Sequence, residues 1–89
     1  MDCVTVKILF FAKARELSGV KECNLTTIRE ITYANLKKTI VSEFHLESIR
    51  ENLILALNEN FVTEDVTFHL VEKDEIAVIP PLSGGLFIF

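Results

Sequence analysis

Two adjacent glycines near the C-terminus, Gly84 and Gly85, are the residues of this 89-residue chain whose types and spacing best suit covalent chemistry. They follow Pro80-Pro81-Leu82-Ser83. Proline stiffens the chain and cannot donate to a sheet, whereas glycine lets a backbone approach other atoms closely. A carboxylate at Gly85 would be unhindered and open to activation as an acyl-adenylate, if Gly85 were the terminus. The alternative is that the glycine pair is only a flexible stop after a domain.

The elements that position this segment follow from hydrophobic periodicity. Val4, Val6, Ile8 and Phe10 share one face of a strand over residues 3–11, and Leu9 and Phe11 make its other face apolar. The last strand, residues 75–79, is also apolar on both faces. Strands covered on both faces are usually central, so the first and last strands are expected side by side and parallel in mid-sheet.

Between these two strands the chain predicts one clear helix and several shorter elements. Thr32 is a candidate N-cap for a helix over residues 33–44, with one apolar stripe. Residues 12–18 are too few for a stable independent helix, so a helical turn or loop ending at Gly19 is expected. Further strands are predicted at 20–26, 53–57 and 66–71, with turns at 58–60 and 72–74.

This order predicts an α+β fold, the β-grasp or ubiquitin-like roll, in which a mixed sheet of four to five strands carries one main helix on one face. The β-grasp domain should span residues 1–81, and residues 82–89 should form a flexible tail that contains Gly84-Gly85. Pairing should stop at Pro80-Pro81, because proline has no donor for the ladder.

Composition argues against several classes of function. The net charge is −4 and no basic run exceeds Lys37-Lys38, so nucleic-acid binding is not expected and a basic protein partner is. No apolar run reaches the ~18 residues of a membrane span, and the acidic start lacks the basic flank of a secretory signal, which favours a cytoplasmic protein. His45, His69, Cys3 and Cys23 have no metal-ligand spacing. No phosphate-binding glycine motif occurs, so the chain itself should bind no cofactor.

Three segments resemble the sulfur-carrier small subunits of molybdopterin synthase, within the ubiquitin-like sulfur carriers. They are DEIAVIPPLSGG at 74–85, ILFFAKARELSG at 8–19 and ALNENFV at 56–62. The resemblance runs from about Val4 to Gly85. The thiazole-pathway carrier shares the fold and the glycine pair but is less similar, being shorter and without the FFAxxRE pattern.

The resemblance implies a sulfur-transfer cycle. An E1-like activating enzyme uses ATP to adenylate the Gly85 carboxylate, and sulfur is installed there as a thiocarboxylate. The loaded tail enters the large subunit of a heterotetramer and donates sulfur to a cyclic pyranopterin phosphate, with Gly84 as the slim neighbour of the reacting group. The chain alone should be inactive. The residues expected to meet the partner are Phe11, Ile79, Pro80, Pro81, Leu82 and Ser83.

The chain departs from the family pattern at two places. Leu86-Phe87-Ile88-Phe89 follow the second glycine, and an acyl-adenylate cannot form at an internal peptide bond. Three interpretations are open: a peptidase removes this segment from a precursor, the segment is an artefact of the recorded sequence, or the protein has lost the donor function and kept only the fold. Lys73 stands where many relatives carry glycine, and a left-handed turn there would cost about 1 kcal/mol.

Two other functions remain open at this point. One is a ubiquitin-like modifier or a general sulfur carrier, for tRNA thiolation, thiazole synthesis or protein conjugation. The other is a non-catalytic interaction module whose apolar tail docks on a partner. Isopeptide-linked adducts would mark the modifier, and loss of binding after deletion of residues 86–89 would mark the module.

Overall fold

The computed structural model describes residues 2–80, and Met1 and residues 81–89 lie outside the described part. The predicted domain of residues 1–81 therefore lies almost entirely within the described part, and the predicted tail of residues 82–89 lies outside it. Within residues 2–80 no helix is both long and apolar enough to cross a membrane.

Seven strands and two α-helices follow one another within residues 2–80. They are β1 (Cys3–Phe10), α1 (Ala12–Ser18), β2 (Glu22–Ile28), β3 (Glu30–Thr32), α2 (Tyr33–Phe44), β4 (Ile54–Leu57), β5 (Asn60–Phe61), β6 (Thr67–His69) and β7 (Glu75–Ile79), with a 3₁₀ helix at Glu47–Asn52 before β4. The main sheet has the order β2-β1-β7-β4-β5, and β3 and β6 form a second, two-stranded sheet. β7 runs parallel to β1 and antiparallel to β4.

One face of the main sheet forms the hydrophobic core with α2. The alternating residues Val4, Val6, Ile8 and Phe10 of β1 are buried there. α2 contributes a stripe that includes Leu36 and Ile40, both with no exposed surface. It begins where the backbone N–H of Asn35 donates to the Thr32 hydroxyl. The predicted β-grasp fold, its N-cap and its central parallel strand pair are all confirmed.

Three local expectations need correction. Residues 12–18 form a helix rather than a turn or loop, because buried Ala14 anchors it and Gly19, at φ 79°, ends it. The short strand β3 was not predicted, and it pairs with β6 from Glu30↔His69 to Thr32↔Thr67. The face of β1 and β7 that points away from α2 was expected to be covered, but within residues 2–80 it forms a groove.

A buried phenol ties α2 to β4. The backbone N–H of Leu55 donates to the Tyr33 hydroxyl oxygen at 2.9 Å. Burial raises the pKa of Tyr33 above its ordinary 10.0. The pKa is higher in the folded chain than in the unfolded chain. The neutral phenol therefore makes its whole contribution to the free energy of unfolding below about pH 10, and this contribution is lost as the pH rises through the folded pKa.

Replacing Tyr33 with phenylalanine should lower the free energy of unfolding by about 1–3 kcal/mol, since the buried N–H of Leu55 loses this acceptor. Denaturant titrations of both proteins at neutral and at alkaline pH check this. The chain has one tyrosine, so alkaline absorbance reports this phenol alone. An unchanged denaturation midpoint in Y33F would contradict the structural role of the hydroxyl.

The turn before β7 contains a strained lysine. Lys73 has φ 75°, the left-handed region that disfavours residues with a Cβ atom. Lys73→Gly should therefore raise the free energy of unfolding by about 1 kcal/mol and the melting temperature by roughly 4–8 °C. Thermal melts with Lys73→Ala as the matched control check this, because alanine removes the charge and keeps the Cβ. Equal melting temperatures for the glycine and alanine variants would refute the strain.

Candidate functional site

The C-terminal segment starts from the middle of the main sheet. β7 is held on both sides, with Val78 opposite Phe10 of β1 and opposite Leu55 of β4. Its last residue, Ile79, pairs with Ile54 and is 3% exposed. Pro80 follows and is buried, outside the strand. The paired strand thus ends directly before Pro80, as the missing proline donor requires.

An apolar groove lies on the sheet face opposite the core, beside this point of exit. Leu9, Ala77 and Ala56 are neighbours across β1, β7 and β4, and so share that face. Two alanines leave space where larger side chains would stand, and the groove has a volume of about 730 Å³. The complete lining consists of Leu9, Phe11, Ala12, Ala56, Glu59, Glu75, Ala77 and Ile79.

The start of α1 forms the wall of the groove. Phe11 is the N-cap residue of α1, in extended backbone conformation, and 46% of its surface is exposed. Ala12 follows at φ 50°, an uncommon angle for a residue with a Cβ. Two residues later Ala14 is fully buried, which fixes the helix against the domain. The exposed ring of Phe11 is therefore held by a rigid support.

The opposite end of the groove is acidic and is fixed by Asn58. The Asn58 backbone N–H donates to the Glu75 carbonyl oxygen at 2.8 Å, and the Glu75 N–H donates to the Asn58 side-chain oxygen at 2.9 Å. The Asn58 amide also donates to Asp74, whose other oxygen accepts from the Val71 N–H. Glu59 and Glu75 are thereby placed at the rim, where they suit a basic partner.

The Asn58 clamp was missed at the sequence level, although the turn at 58–60 was predicted. Asn58 and Glu59 both have positive φ, at 49° and 71°. The available signal was the asparagine itself, because asparagine adopts left-handed angles more readily than most residues and its side chain can replace backbone partners.

The structure brings two of the predicted partner-facing residues together. Phe11 and Ile79 both line the groove. Pro80 directly follows Ile79 in the sequence. Gly84 and Gly85, with Pro81, Leu82 and Ser83, lie outside the described residues, as does the segment Leu86–Phe89. The partner role of these residues stays a prediction.

In the part that the structure describes, the histidines, cysteines and acidic residues do not form a second candidate site. Within residues 2–80 no group of three or more His, Cys, Asp or Glu is arranged to hold a metal ion. Cys3 and Cys23 are both free thiols. His69 is exposed, with its Nδ1 3.9 Å from a Glu30 carboxylate oxygen. The apolar groove and the adjoining exit of β7 are therefore the candidate site.

Comparison with known proteins decides the family. The profile of the ThiS family matches residues 8–85, which is most of the chain and includes both glycines. The chain belongs to the ThiS family. The resemblance to sulfur carriers drawn from the three sequence segments is confirmed.

Two curated relatives of this ThiS-family chain carry the same description. A molybdopterin synthase sulfur carrier subunit from Drosophila yakuba is 47% identical over 92% of each chain. The one from Arabidopsis thaliana is 40% identical over 92% of this chain and 84% of its own. Among solved structures, a putative molybdopterin converting factor subunit 1 from Pyrococcus furiosus superposes with a TM-score of 0.70 at 24% identity, covering 89% of this chain and 99% of its own. That likeness supports the fold.

Proposed function

We propose that this ThiS-family chain is the sulfur-carrier small subunit of molybdopterin synthase. The observation that carries the proposal is that the family match ends on Gly85 and includes the glycine pair. Relatives at 40% and 47% identity, named as carrier subunits of this synthase, support the same assignment.

The chemistry proposed for this chain takes place at its glycine carboxylate. An oxygen of the Gly85 carboxylate attacks the α-phosphorus of ATP in an E1-like activating enzyme, and pyrophosphate leaves. A sulfur nucleophile then displaces AMP from the acyl carbon and leaves a thiocarboxylate. This sulfur forms a bond to a carbon of a cyclic pyranopterin phosphate held by the large subunit and displaces an oxygen substituent there. Water then hydrolyses the resulting thioester, which leaves the sulfur on the pterin and returns the Gly85 carboxylate. Two loaded carriers supply the two sulfur atoms of the dithiolene.

The described residues contribute docking and positioning to this cycle. β7 is paired on both sides, so the segment after Pro80 leaves from a fixed point. The apolar groove beside it offers the exposed Phe11 ring and an alanine floor to the large subunit. Glu59 and Glu75 at the rim would meet basic side chains of that subunit. Docking at the groove would place the tail close to the pterin pocket.

The proposed cycle needs a free carboxylate at Gly85. Hydrolysis of the Gly85–Leu86 peptide bond by a processing peptidase would supply it, as would a form of the chain that lacks residues 86–89. We place this step and the later sulfur transfer in the cytoplasm, with ATP bound by the activating enzyme and not by this chain.

The test is reconstitution of the synthase. A chain ending at Gly85, loaded by an E1-like enzyme with ATP and a sulfur source, should convert cyclic pyranopterin phosphate to the dithiolene product when a molybdopterin synthase large subunit is added. A matched reaction with unloaded carrier should give none. The proposal fails if the loaded chain gives no product and instead forms isopeptide adducts on lysines of other proteins, which is the outcome expected of a ubiquitin-like modifier.

A further inference from the structure

We propose that β2 is a self-association site, at which two copies of this chain pair their β2 strands antiparallel and join their main sheets into one. The observation that carries the proposal is the outer edge of β2, at one end of the strand order β2-β1-β7-β4-β5. Within residues 2–80 no strand pairs with this edge. The contact does not rest on the sulfur-carrier function, because no residue that lines the groove belongs to β2.

The hydrogen-bond pattern shows which backbone groups of β2 face outward. The Phe10 N–H donates to the Lys21 carbonyl oxygen, just before β2 begins. Because such bonds alternate along an antiparallel pair, the odd-numbered residues of β2 bond to β1, and the even-numbered residues point their N–H and C=O groups away from it. These outward groups belong to Glu22, Asn24, Thr26 and Ile28. Among the described residues they have one contact, from the Cys23 thiol to the Asn24 carbonyl oxygen at 3.6 Å.

β2 has none of the features that usually protect a sheet edge. Natural edge strands are typically very short, bulged, interrupted by proline or marked by lysine. The strand β5, at the other end of the sheet, has two residues, whereas β2 has seven and an unbroken register from Cys3↔Ile28 to Leu9↔Glu22. β2 contains no proline, lysine or arginine, and its one charge, on Glu22, lies 3.8 Å from the Lys7 ammonium. An edge of this kind is a template for another strand.

Charge selects the register in which two β2 strands can pair. Full overlap of the strands would place Lys21 of one copy opposite Arg29 of the other. Moving the two-fold axis one residue toward the C-terminus would place Glu22 opposite Glu30. Like charges directly opposite each other destabilise a strand pair. Moving the axis one residue the other way, onto Asn24, brings no like charges opposite each other, so this register is the one we assign.

The register centred on Asn24 also brings exposed apolar side chains together. Val20, 39% exposed, lies four residues before Asn24, and Ile28, 42% exposed, lies four residues after it. In an antiparallel pair, Val20 of each copy therefore comes to the level of Ile28 of the other. Removing both side chains from water favours the pairing, in addition to the new backbone hydrogen bonds.

The joined sheet would carry both grooves on one face. The two-fold axis of an antiparallel strand pair is perpendicular to the sheet, so both α2 helices would lie on one side and both grooves on the other. The groove is lined from β1, β7 and β4 and stays open when β2 pairs. Pairing of a single strand should bury less than the ~1,200 Å² of a stable interface, so the dimer should be weak and form at high concentration.

Sedimentation velocity of the full chain, from micromolar to millimolar concentration, tests the association. The apparent mass should rise from the 10.1 kDa of one chain toward twice that value. Over the same range, hydrogen exchange at the Asn24 and Thr26 amides should slow, because both N–H groups gain acceptors. An apparent mass of one chain at every concentration would overturn the proposal and leave the edge to a strand of another protein.

Two substitutions of one residue locate the contact. Asn24→Lys places two ammonium groups at the axis and should weaken the association about tenfold or more. Asn24→Pro should weaken it as well, because proline removes an outward N–H and breaks no bond to β1. Asn52→Lys is the matched control, since it makes the same change at an exposed position at the end of the 3₁₀ helix and should leave the association unchanged.

Thermal melts of the three variants show whether each one retains the fold. If N24K is folded and associates as strongly as N52K, the contact lies on another face and pairing through β2 is refuted. Either result leaves the sulfur-carrier function standing, because that function is tested by reconstitution with the large subunit.

Discussion

A chain that ends at Gly85 is expected to become sulfur-loaded by an E1-like enzyme and ATP, whereas the chain that continues to Phe89 should remain entirely unloaded. The reason is chemical, because adenylation needs a carboxylate and Gly85 in the longer chain is an amide. Intact mass spectrometry should show the shorter chain heavier by the difference between one sulfur and one oxygen atom. Omission of ATP should abolish the change.

Chains of neighbouring lengths are the matched controls for this result. A chain ending at Leu86 has a terminal carboxylate but adds a branched side chain to the reacting residue, and it should load poorly if a slim end is required. A chain ending at Gly84 keeps a glycine terminus but is one residue shorter in reach. Equal loading of the chain ending at Gly85 and the chain ending at Phe89 would contradict the assignment of Gly85 as the reacting residue.

Phe11→Ser, made in the chain that ends at Gly85, should weaken binding to the large subunit about 30-fold, since truncating a central aromatic anchor typically costs 2 kcal/mol or more. The fold should tolerate the change, as 46% of Phe11 is exposed. Phe11 is also an N-cap residue that makes no side-chain capping bond, and serine can supply one worth about 1 kcal/mol. Affinity should therefore fall while stability changes little.

Calorimetric titration against the large subunit, together with a denaturant titration of each variant, separates the two effects. Val71→Ser is the matched control, because Val71 is 53% exposed and is not among the residues that line the groove. It should leave the affinity within about twofold, as expected for a position outside the interface. Equal affinities for F11S and V71S would exclude the groove as the docking face.

Much of the fold was predictable because its strongest signals are local. Continuous apolar runs in β1 and β7 indicated central strands, and the Thr32 cap with a regular stripe gave the bounds of α2. α1 was not predictable as a helix, because its seven residues are stabilised by buried Ala14 and by the Gly19 cap. β3 has three residues, and only its pairing with β6 defines it.

Only some residues of the candidate site could be predicted from the sequence. Resemblance to the sulfur carriers placed Phe11 and Ile79 at a partner surface, and the structure sets both in one groove. The sequence did not indicate that Ala56 and Ala77 line a groove, because an alanine within an apolar strand is equally typical of a position in the hydrophobic core. Their meeting depends on the register between β4 and β7, which pairs residues 21 positions apart in the chain.

The placement of β7 has a consequence for the order of synthesis and folding. β1 and β4 leave the ribosome earlier and can pair with β2 and β5, yet one edge of each has no partner strand until β7 enters between them. Pairs such as Lys7↔Glu75 join distant parts of the chain, so the sheet closes late and slowly. A chain interrupted before β7 would keep two bare strand edges, which invite aggregation. The segment that carries the glycines proposed to react is thus attached to the strand that completes the fold, and an incompletely folded chain has no fixed point from which to present it.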